Sequence, residues 1–303
     1  MLIEKIKKFS NTIDSKIYFD YDLKKSNWFN IGGKTKVYFK PDSLSDLVIF
    51  LKKFATDKKI YVLGAGSNTL VSDDTFDGIV IKLGKNFSNV SMLPNGIIAA
   101  GSACLDKKLS DFALENEIGG LEFLACIPGT VGGGLKMNAG CFNEEFKDIL
   151  VSVQAINRSG QVITIPADKI IFEYRNNNLA DDLIFLSASF KGKKKERNQI
   201  KTKINELKKK KDKNQPTKIK TSGSTFKNPI NQSNKKVWEL IKESVSLDTS
   251  FGDACISSKH CNFFVNKKNA SFDDMNKLIE FVKKSVEKKT GIKLEKEIKI
   301  LES

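Results

Sequence analysis

Apolar residues along this chain recur at two spacings, every second residue in some segments and every third or fourth in others, and the switches between them mark out its elements. Residues 37–41 and 60–63 read as strands, and 44–54 between them has helical spacing. Residues 77–83 give another strand, and 86–102 a hairpin turning at Pro94-Asn95-Gly96, a combination suited to tight reversal. A helix is expected over 105–116, ending before Gly119. Strands over 149–156, 161–166 and 183–190 follow, the first two joined at Ser159-Gly160. Ile200, Ile204 and Leu207 then form one stripe of a helix over about 194–212. Further helices are expected at 237–245 and 275–286. In the second, Met275, Leu278, Ile279, Val282 and Val286 share a face, Ser271 and Asp274 form a capping box, and Gly291 supplies the stop. Residues 292–300 alternate and read as a last strand, with Ile292, Leu294, Ile298 and Ile300 on one face and Glu295 and Glu297 on the other.

Composition narrows the class. At 303 residues, 40% hydrophobic and 29% charged, the chain can hold two or three domains with cores of their own. No apolar run reaches the roughly 18 residues of a membrane span. The first residues, Met1-Leu-Ile-Glu-Lys-Ile-Lys-Lys-Phe9, lack the apolar core and cleavage site of a secretion signal, so a cytoplasmic protein without a membrane partner is expected. The five cysteines (104, 126, 141, 255 and 261) have no metal-like spacing and His260 is the sole histidine, so reduced thiols and no metal are expected. The net charge of +15 is concentrated in 191–213. That run could suggest nucleic acid, but no aromatic residue interleaves with it, and the lysines fall on the wet side of the helical stripe. No nucleic-acid partner is expected; a positive field would instead help capture phosphate-bearing ligands.

Two glycine-rich segments carry the strongest chemical hint. Residues 119–140 hold seven of the twenty glycines in a nearly uncharged run, and Gly64-Ala-Gly-Ser-Asn68 follows an apolar strand. Such loops let backbone approach a ligand closely, and successive amides can cradle a pyrophosphate. Residues 64–68 lack both the third glycine of the dinucleotide fingerprint and the lysine of a P-loop, so alone they are equally a plain turn. Ser224, in Thr221-Ser-Gly-Ser-Thr-Phe-Lys-Asn-Pro229, could be a presented hydroxyl or one of a hydroxyl-rich loop; no Gly-x-Ser-x-Gly surrounds it. Arg175, beside Tyr174, could clamp a carboxylate or simply be exposed. Glu297 has an equally ordinary reading on the polar face of the last strand.

Taken in order, these pieces resemble a family. Asn30-Ile-Gly-Gly33, Gly64-Ala-Gly-Ser-Asn-Thr-Leu70, Gly120-Leu-Glu-Phe123, Ile127-Pro-Gly-Thr-Val-Gly-Gly133 and Met137-Asn-Ala-Gly140 are similar to the UDP-N-acetylenolpyruvoylglucosamine reductase (MurB) family. Tyr174-Arg175, Gly223-Ser-Thr-Phe-Lys-Asn-Pro229, Ser258-Lys-His260 with Asn262-Phe263, and Leu294-Glu-Lys-Glu297 continue the match in register, from about residue 25 to the end. The resemblance implies an α+β fold: a two-part FAD-binding unit of the vanillyl-alcohol oxidase/PCMH type (subdomains 1–84 and 85–205) and a C-terminal α+β substrate-binding domain (206–303). It implies a cytoplasmic, monomeric flavoenzyme of peptidoglycan precursor synthesis. NADPH would reduce bound FAD, and the enolpyruvyl ether of a UDP-sugar would be reduced to UDP-N-acetylmuramate, with hydride from flavin N5 to C3 and a proton from Ser224 to C2. Arg175 and Glu297 complete the implied catalytic set. FAD would lie on Gly64, Ala65, Gly66, Ser67 and Asn68, and on backbone of Pro128, Gly129, Thr130, Gly132, Gly133, Asn138 and Gly140. Arg175, Lys227 and Asn228 would contact substrate, and His260 would be structural or peripheral. The chain departs from the family pattern at Glu173 (usually glycine), Asn177 (often serine) and Lys296 (usually proline). None of the five tyrosines follows Arg175, so it resembles the shorter subclass without the tyrosine loop. Diphosphate contacts from lysines within 208–213 are then one expectation. Another FAD-dependent oxidoreductase on the same cofactor domain is the alternative.

Overall fold

A computed structural model describes residues 2–55 and 59–303. It divides into two units: Met1–Phe19, Val37–Ala65 and Gly78–Lys211 form one, and Asp20–Lys36, Gly66–Asp77 and Asp212–Ser303 the other. One of the five boundaries between them along the chain falls inside the glycine loop, between Ala65 and Gly66.

The first unit is built around an antiparallel sheet ordered Val162–Pro166, Leu150–Ile156, Ile184–Lys191, Ile97–Gly101, Val90–Leu93. Helix Asp106–Glu115, the glycine segment and Phe146 pack on this sheet, with Leu109, Phe123, Leu124, Val131, Phe146 and Phe190 fully buried. The expected hairpin is present: Leu93 pairs with Ile97, and Asn95 and Gly96 at its tip take positive φ (61° and 70°). A second core lies on helix Leu44–Phe54, where Phe39 and Phe50 stack at 4.1 Å. It packs on the sheet ordered Lys16–Asp22, Lys34–Lys40, Phe76–Ile81, Ile60–Val62. Helix Leu2–Ser10 and strand Lys16–Asp22 are elements that the sequence pattern does not announce.

In the second unit, helices Val237–Ser244 and Phe272–Thr290 cover a small antiparallel sheet of Ser250–Phe251, Ala254–Ile256 and Phe264–Asn266. The long helix begins where its capping box predicts, with Ser271 Oγ accepting from the Asp274 amide at 3.0 Å, and stops at Gly291. Its expected apolar face, Met275 to Val286, is fully buried. The last strand is shorter than the alternation suggests. Only Lys299–Leu301 forms a ladder, parallel to Thr69–Val71, although Leu294 and Ile298 are buried as expected. Residues 295–297 instead spend single backbone bonds on residues 225–227, so burial alternates without a continuous ladder. Among the described residues no helix is long and apolar enough to cross a membrane.

One buried charge stands out. Asp106, at the start of helix Asp106–Glu115, is fully buried and neither carboxylate oxygen has a hydrogen-bond partner among the described residues. Burial therefore holds its carboxyl well above the usual range. Because the folded chain binds this proton more tightly than the unfolded one, Asp106 disfavours the fold progressively as pH rises above 3.8. Asp106→Asn should remove that term. We expect the gain in thermal midpoint over wild type to be larger at pH 8 than at pH 5; a gain independent of pH would refute the assignment.

Candidate active site

In the first unit, residues 102–106 run antiparallel to 129–132. The Val131 amide donates to Cys104 O and the Gly132 amide to Ser102 O, each at 2.9 Å, and Asp106 N donates to Gly129 O at 3.1 Å. This pins the Pro128–Gly129–Thr130 turn and the start of helix Val131–Lys136. Gly64, at the end of the strand Ile60–Val62, comes against Thr130: a Cβ on Gly64 would lie 2.7 Å from Thr130 Oγ1. The two glycine segments thus meet inside one unit.

The loop continues through Gly66, which has φ +70° and whose Cβ would fall 2.2 Å from Ser26 O. Only glycine fits there without displacing backbone. Gly66 O accepts from the Trp28 amide at 3.0 Å, whereas none of the amides of residues 64–68 donates to a backbone carbonyl among the described residues. A run of such amides on a glycine turn is a donor set of the kind that holds a diphosphate. The residues therefore fit the phosphates of a dinucleotide cofactor such as FAD.

Arg175 occupies the tip of a two-residue hairpin between Phe172–Glu173 and Asn176–Asn177 and takes φ +59°. Left-handed backbone in a bulky residue is a strained state that surrounding bonds must hold. Two asparagines supply them. Asn138, fully buried, donates to Glu173 O (3.2 Å) and Glu145 Oε2 (3.0 Å) and accepts from the Lys147 amide (3.1 Å). Asn177 donates to Leu135 O (2.9 Å) and Lys136 O (3.1 Å), capping helix Val131–Lys136, and accepts from the Leu179 amide (3.0 Å). The side chain of Asn138 is thus spent within the protein, which leaves backbone as its means of meeting a cofactor. The guanidinium itself donates to Gly140 O at 3.1 Å, lies 3.8 Å from Glu145 Oε1 and rests over the Tyr174 ring.

The second unit gathers Asn68, Ser224, Lys227, Asn228 and Glu297. Ser224 follows Gly223, which has φ +79°, and bridges to Phe263. From Thr225 N to Lys227 N the backbone is fully paired. Thr225 N donates to Asn262 O (2.8 Å), Thr225 O accepts from Glu297 N (2.8 Å), and Lys227 N donates to Glu295 O (2.9 Å). Phe226 N donates to Asn262 Oδ1 (3.0 Å), and Phe226 O accepts from Asn262 Nδ2 (2.9 Å). Ser224 and Glu297 are therefore carried by directly bonded segments. Asn68, from the glycine loop, joins them by donating Nδ2 to Glu297 O at 3.2 Å, while Asn68 O accepts from the Lys299 amide at 2.9 Å. Lys227 faces Glu295 at 3.4 Å, and Asn228 Oδ1 accepts from the Val237 amide at 3.0 Å, capping helix Val237–Ser244. His260 Nδ1 accepts from the Asn262 amide at 3.3 Å, and burial pushes its pKa down. No disulfide is formed among the described residues, and burial raises Cys104 to about 11, far from a reactive thiolate. Asn138, Asn177, Asn262 and Glu145 are site-building residues that sequence reasoning either missed or gave other work. Only their places beside Gly140, Arg175 and Phe263 hint at the role.

Comparison with known proteins identifies the family. Residues 35–166 match a family model described as an FAD binding domain, and 215–301 one described as the C-terminal domain of UDP-N-acetylenolpyruvoylglucosamine reductase. The chain is 77% identical over 301 residues to the UDP-N-acetylenolpyruvoylglucosamine reductase of Pelagibacter ubique, covering 99% of this chain and 100% of that protein. It is 43% identical over 280 residues to the enzyme of that name from Rickettsia conorii, covering 92% of this chain and 94% of the other. A crystal structure of UDP-N-acetylenolpyruvylglucosamine reductase (MurB) from Thermus caldophilus superposes with a TM-score of 0.81 at 28% identity, covering 95% of this chain and 99% of that one. An FAD-binding domain ahead of this C-terminal domain, with the glycine loop and the Ser224 segment both in place, means that the chain belongs to the UDP-N-acetylenolpyruvoylglucosamine reductase family of FAD-dependent oxidoreductases.

Proposed function

We propose that this chain reduces UDP-N-acetyl-3-O-(1-carboxyvinyl)-glucosamine to UDP-N-acetylmuramate at the expense of NADPH, in the cytoplasm and as a monomer. The amides of residues 64–68 would hold the FAD diphosphate and backbone of 128–133 and 138–140 would line the rest; once bound and reduced by NADPH, this group would supply the hydride for C3 of the enolpyruvyl group. Arg175 binds the enolpyruvyl carboxylate, into which negative charge spreads as C3 is reduced, and Glu297 stabilises the enol form. Charge placed in advance in this way is often the largest catalytic contribution. Ser224 gives its hydroxyl proton to C2. A serine is a poor acid in water, but a carbanionic carbon is far more basic than its alkoxide, so position suffices. Lys227 and Asn228 contact the nucleotide sugar, with lysines of 208–213 serving its diphosphate. The subdivision into 1–84, 85–205 and 206–303 follows this division of labour, the first two forming the two-part cofactor unit of the vanillyl-alcohol oxidase type.

The observation that supports the reading best is the bond between the Glu297 amide and Thr225 O at 2.8 Å, with Asn68 of the glycine loop on the carbonyl of the same Glu297. It joins the implied proton donor, the implied carboxylate and a cofactor-loop residue through a framework of backbone bonds.

Denaturing the purified protein should release FAD, identified by chromatography and mass. NADPH oxidation should require the enolpyruvyl nucleotide; a colourless protein, or consumption unaffected by the nucleotide, would refute the proposal. Ser224→Ala should leave reduction of the flavin by NADPH intact while reoxidation by the nucleotide slows at least about 10²-fold, as expected for a positioned proton donor. Stopped-flow absorbance of the flavin separates the two steps. Arg175→Lys keeps the charge but loses the planar fork, and kcat/KM for the nucleotide should fall about 10- to 100-fold. Steady-state kinetics showing less than about a threefold change would remove Arg175 from the carboxylate site.

A further inference from the structure

We infer that Asn262 is a positioning residue for Ser224: its carboxamide acts as a surrogate strand that locks the backbone presenting the hydroxyl. The inference rests on the proposed role of Ser224 and adds a residue to which no part in the reaction has been assigned.

Five consecutive backbone polar groups, from Thr225 N to Lys227 N, are all bonded, and Asn262 supplies the partners of three of them. The other two belong to Glu295 and Glu297. The Ser224 segment is thus held from two sides, by residues 295–297 through their backbone and by Asn262 mainly through a side chain. The geometry fixes how the amide must point. Phe226 N–H is a donor, so Oδ1 must face it, and Phe226 C=O is an acceptor, so Nδ2 must face that. No other side chain of this length offers one donor and one acceptor in the plane needed to imitate a neighbouring strand. Aspartate would oppose a lone pair to the Phe226 carbonyl, and serine could not span both atoms.

The surroundings make the grip rigid. Asn262 is 2% exposed, so water cannot replace either bond, and leaving Phe226 N–H and C=O unsatisfied would be costly. Phe226 is itself 1% exposed and packs edge-on to Phe264 at 5.9 Å. The backbone of Asn262 is held in turn by His260, whose Nδ1 accepts the Asn262 main-chain N–H at 3.3 Å, and Phe263 N donates to His260 O at 2.9 Å. On the other side of Ser224, Gly223 has φ +79° and no atom within 4 Å of where its Cβ would be. That side is a turn with open space at Gly223, and its nearest anchor is the longer bond from Ser222 Oγ to Thr69 O at 3.3 Å. The clamp at Phe226, two residues on, is what keeps the hydroxyl from swinging about the turn.

The test uses the full-length, FAD-loaded protein. In Asn262→Ala, reduction of the flavin by NADPH should stay within about threefold of wild type, while reoxidation by the enolpyruvyl nucleotide slows roughly 30-fold, the scale of a displacement near 1 Å. The solvent deuterium isotope effect on reoxidation should rise, because proton delivery then limits that step. Hydrogen exchange at the Phe226 amide, followed by NMR, should accelerate in the variant. Should the alanine variant fail to fold, Asn262→Asp carries the half-reaction and isotope measurements; it keeps the acceptor for Phe226 N–H and loses only the donor, so the amide exchange is read in the alanine variant alone. Equal slowing of both half-reactions, or an unchanged Phe226 amide, overturns the inference and leaves Asn262 a residue of general stability. Wild-type turnover with a variant that matches it overturns this inference alone. Wild-type flavin that the nucleotide cannot reoxidise overturns the functional reading and this one together.

Discussion

Backbone satisfaction at residues 225–227 is the constraint on which the second unit depends. A buried strand must pair its polar groups, and this one has no complete ladder on either side. It borrows from residues 36 and about 70 positions further along the chain, with Asn262 standing in for a strand and residues 295–297 bonding through their main chain. The same bonds that satisfy Phe226 therefore decide where Ser224 and Glu297 stand relative to one another. A site assembled in this way is as rigid as the core beneath it, here Phe226, Phe264, Leu240, Leu278 and Ile298.

The first unit solves a related problem differently. Arg175 sits in left-handed backbone, which costs of order 1–3 kcal/mol for a residue with a side chain. The two-residue turn demands it, and the turn is held because Asn138 and Asn177 bond its two arms to the segment 135–138. The guanidinium is then aimed by a carbonyl, Gly140 O, whose own residue pairs with Glu145, the carboxylate facing it. Strain in the backbone is exchanged for a narrow range of side-chain directions.

How much of this could be read in advance follows from what each residue type announces. The helix Phe272–Thr290 was legible because a capping box, an apolar stripe and a terminal glycine are local signals that agree. The glycine segments were legible because glycine carries its meaning alone, as at Gly66, where no other residue fits. The final strand was over-read. Alternating burial at Leu294 and Ile298 is real, but alternation reports which side faces the core and says nothing of whether a ladder partner runs alongside. Helix Leu2–Ser10 buries only Ile6 and Phe9, too little pattern to register. The asparagines were illegible for a deeper reason. An asparagine that bonds backbone many residues away has the same letter and the same neighbours as one in a loop, and only the tertiary pairing distinguishes them.

The departures from the family pattern are resolved by the same bookkeeping. A proline is usual where Lys296 stands, and a proline has no amide hydrogen to give. The bonds across this segment come from Glu297 N and, in the other direction, from Lys227 N to Glu295 O; the Lys296 amide donates to no backbone carbonyl among the described residues. Exchange of proline for lysine removes no bond, and the new side chain reaches Glu280 at 3.5 Å on helix Phe272–Thr290. At Asn177 the larger amide does more than a serine hydroxyl can, bonding two carbonyls at a helix end and an amide beyond it. Glu173 contributes its backbone carbonyl to Asn138, a contact any residue could make, and its carboxylate accepts from Asn176 Nδ2 at 3.3 Å on the exposed side of the hairpin. All three substitutions fall where the site uses backbone, or where a side chain can take over a backbone-directed bond, and this is why the framework around Arg175 and Ser224 survives them.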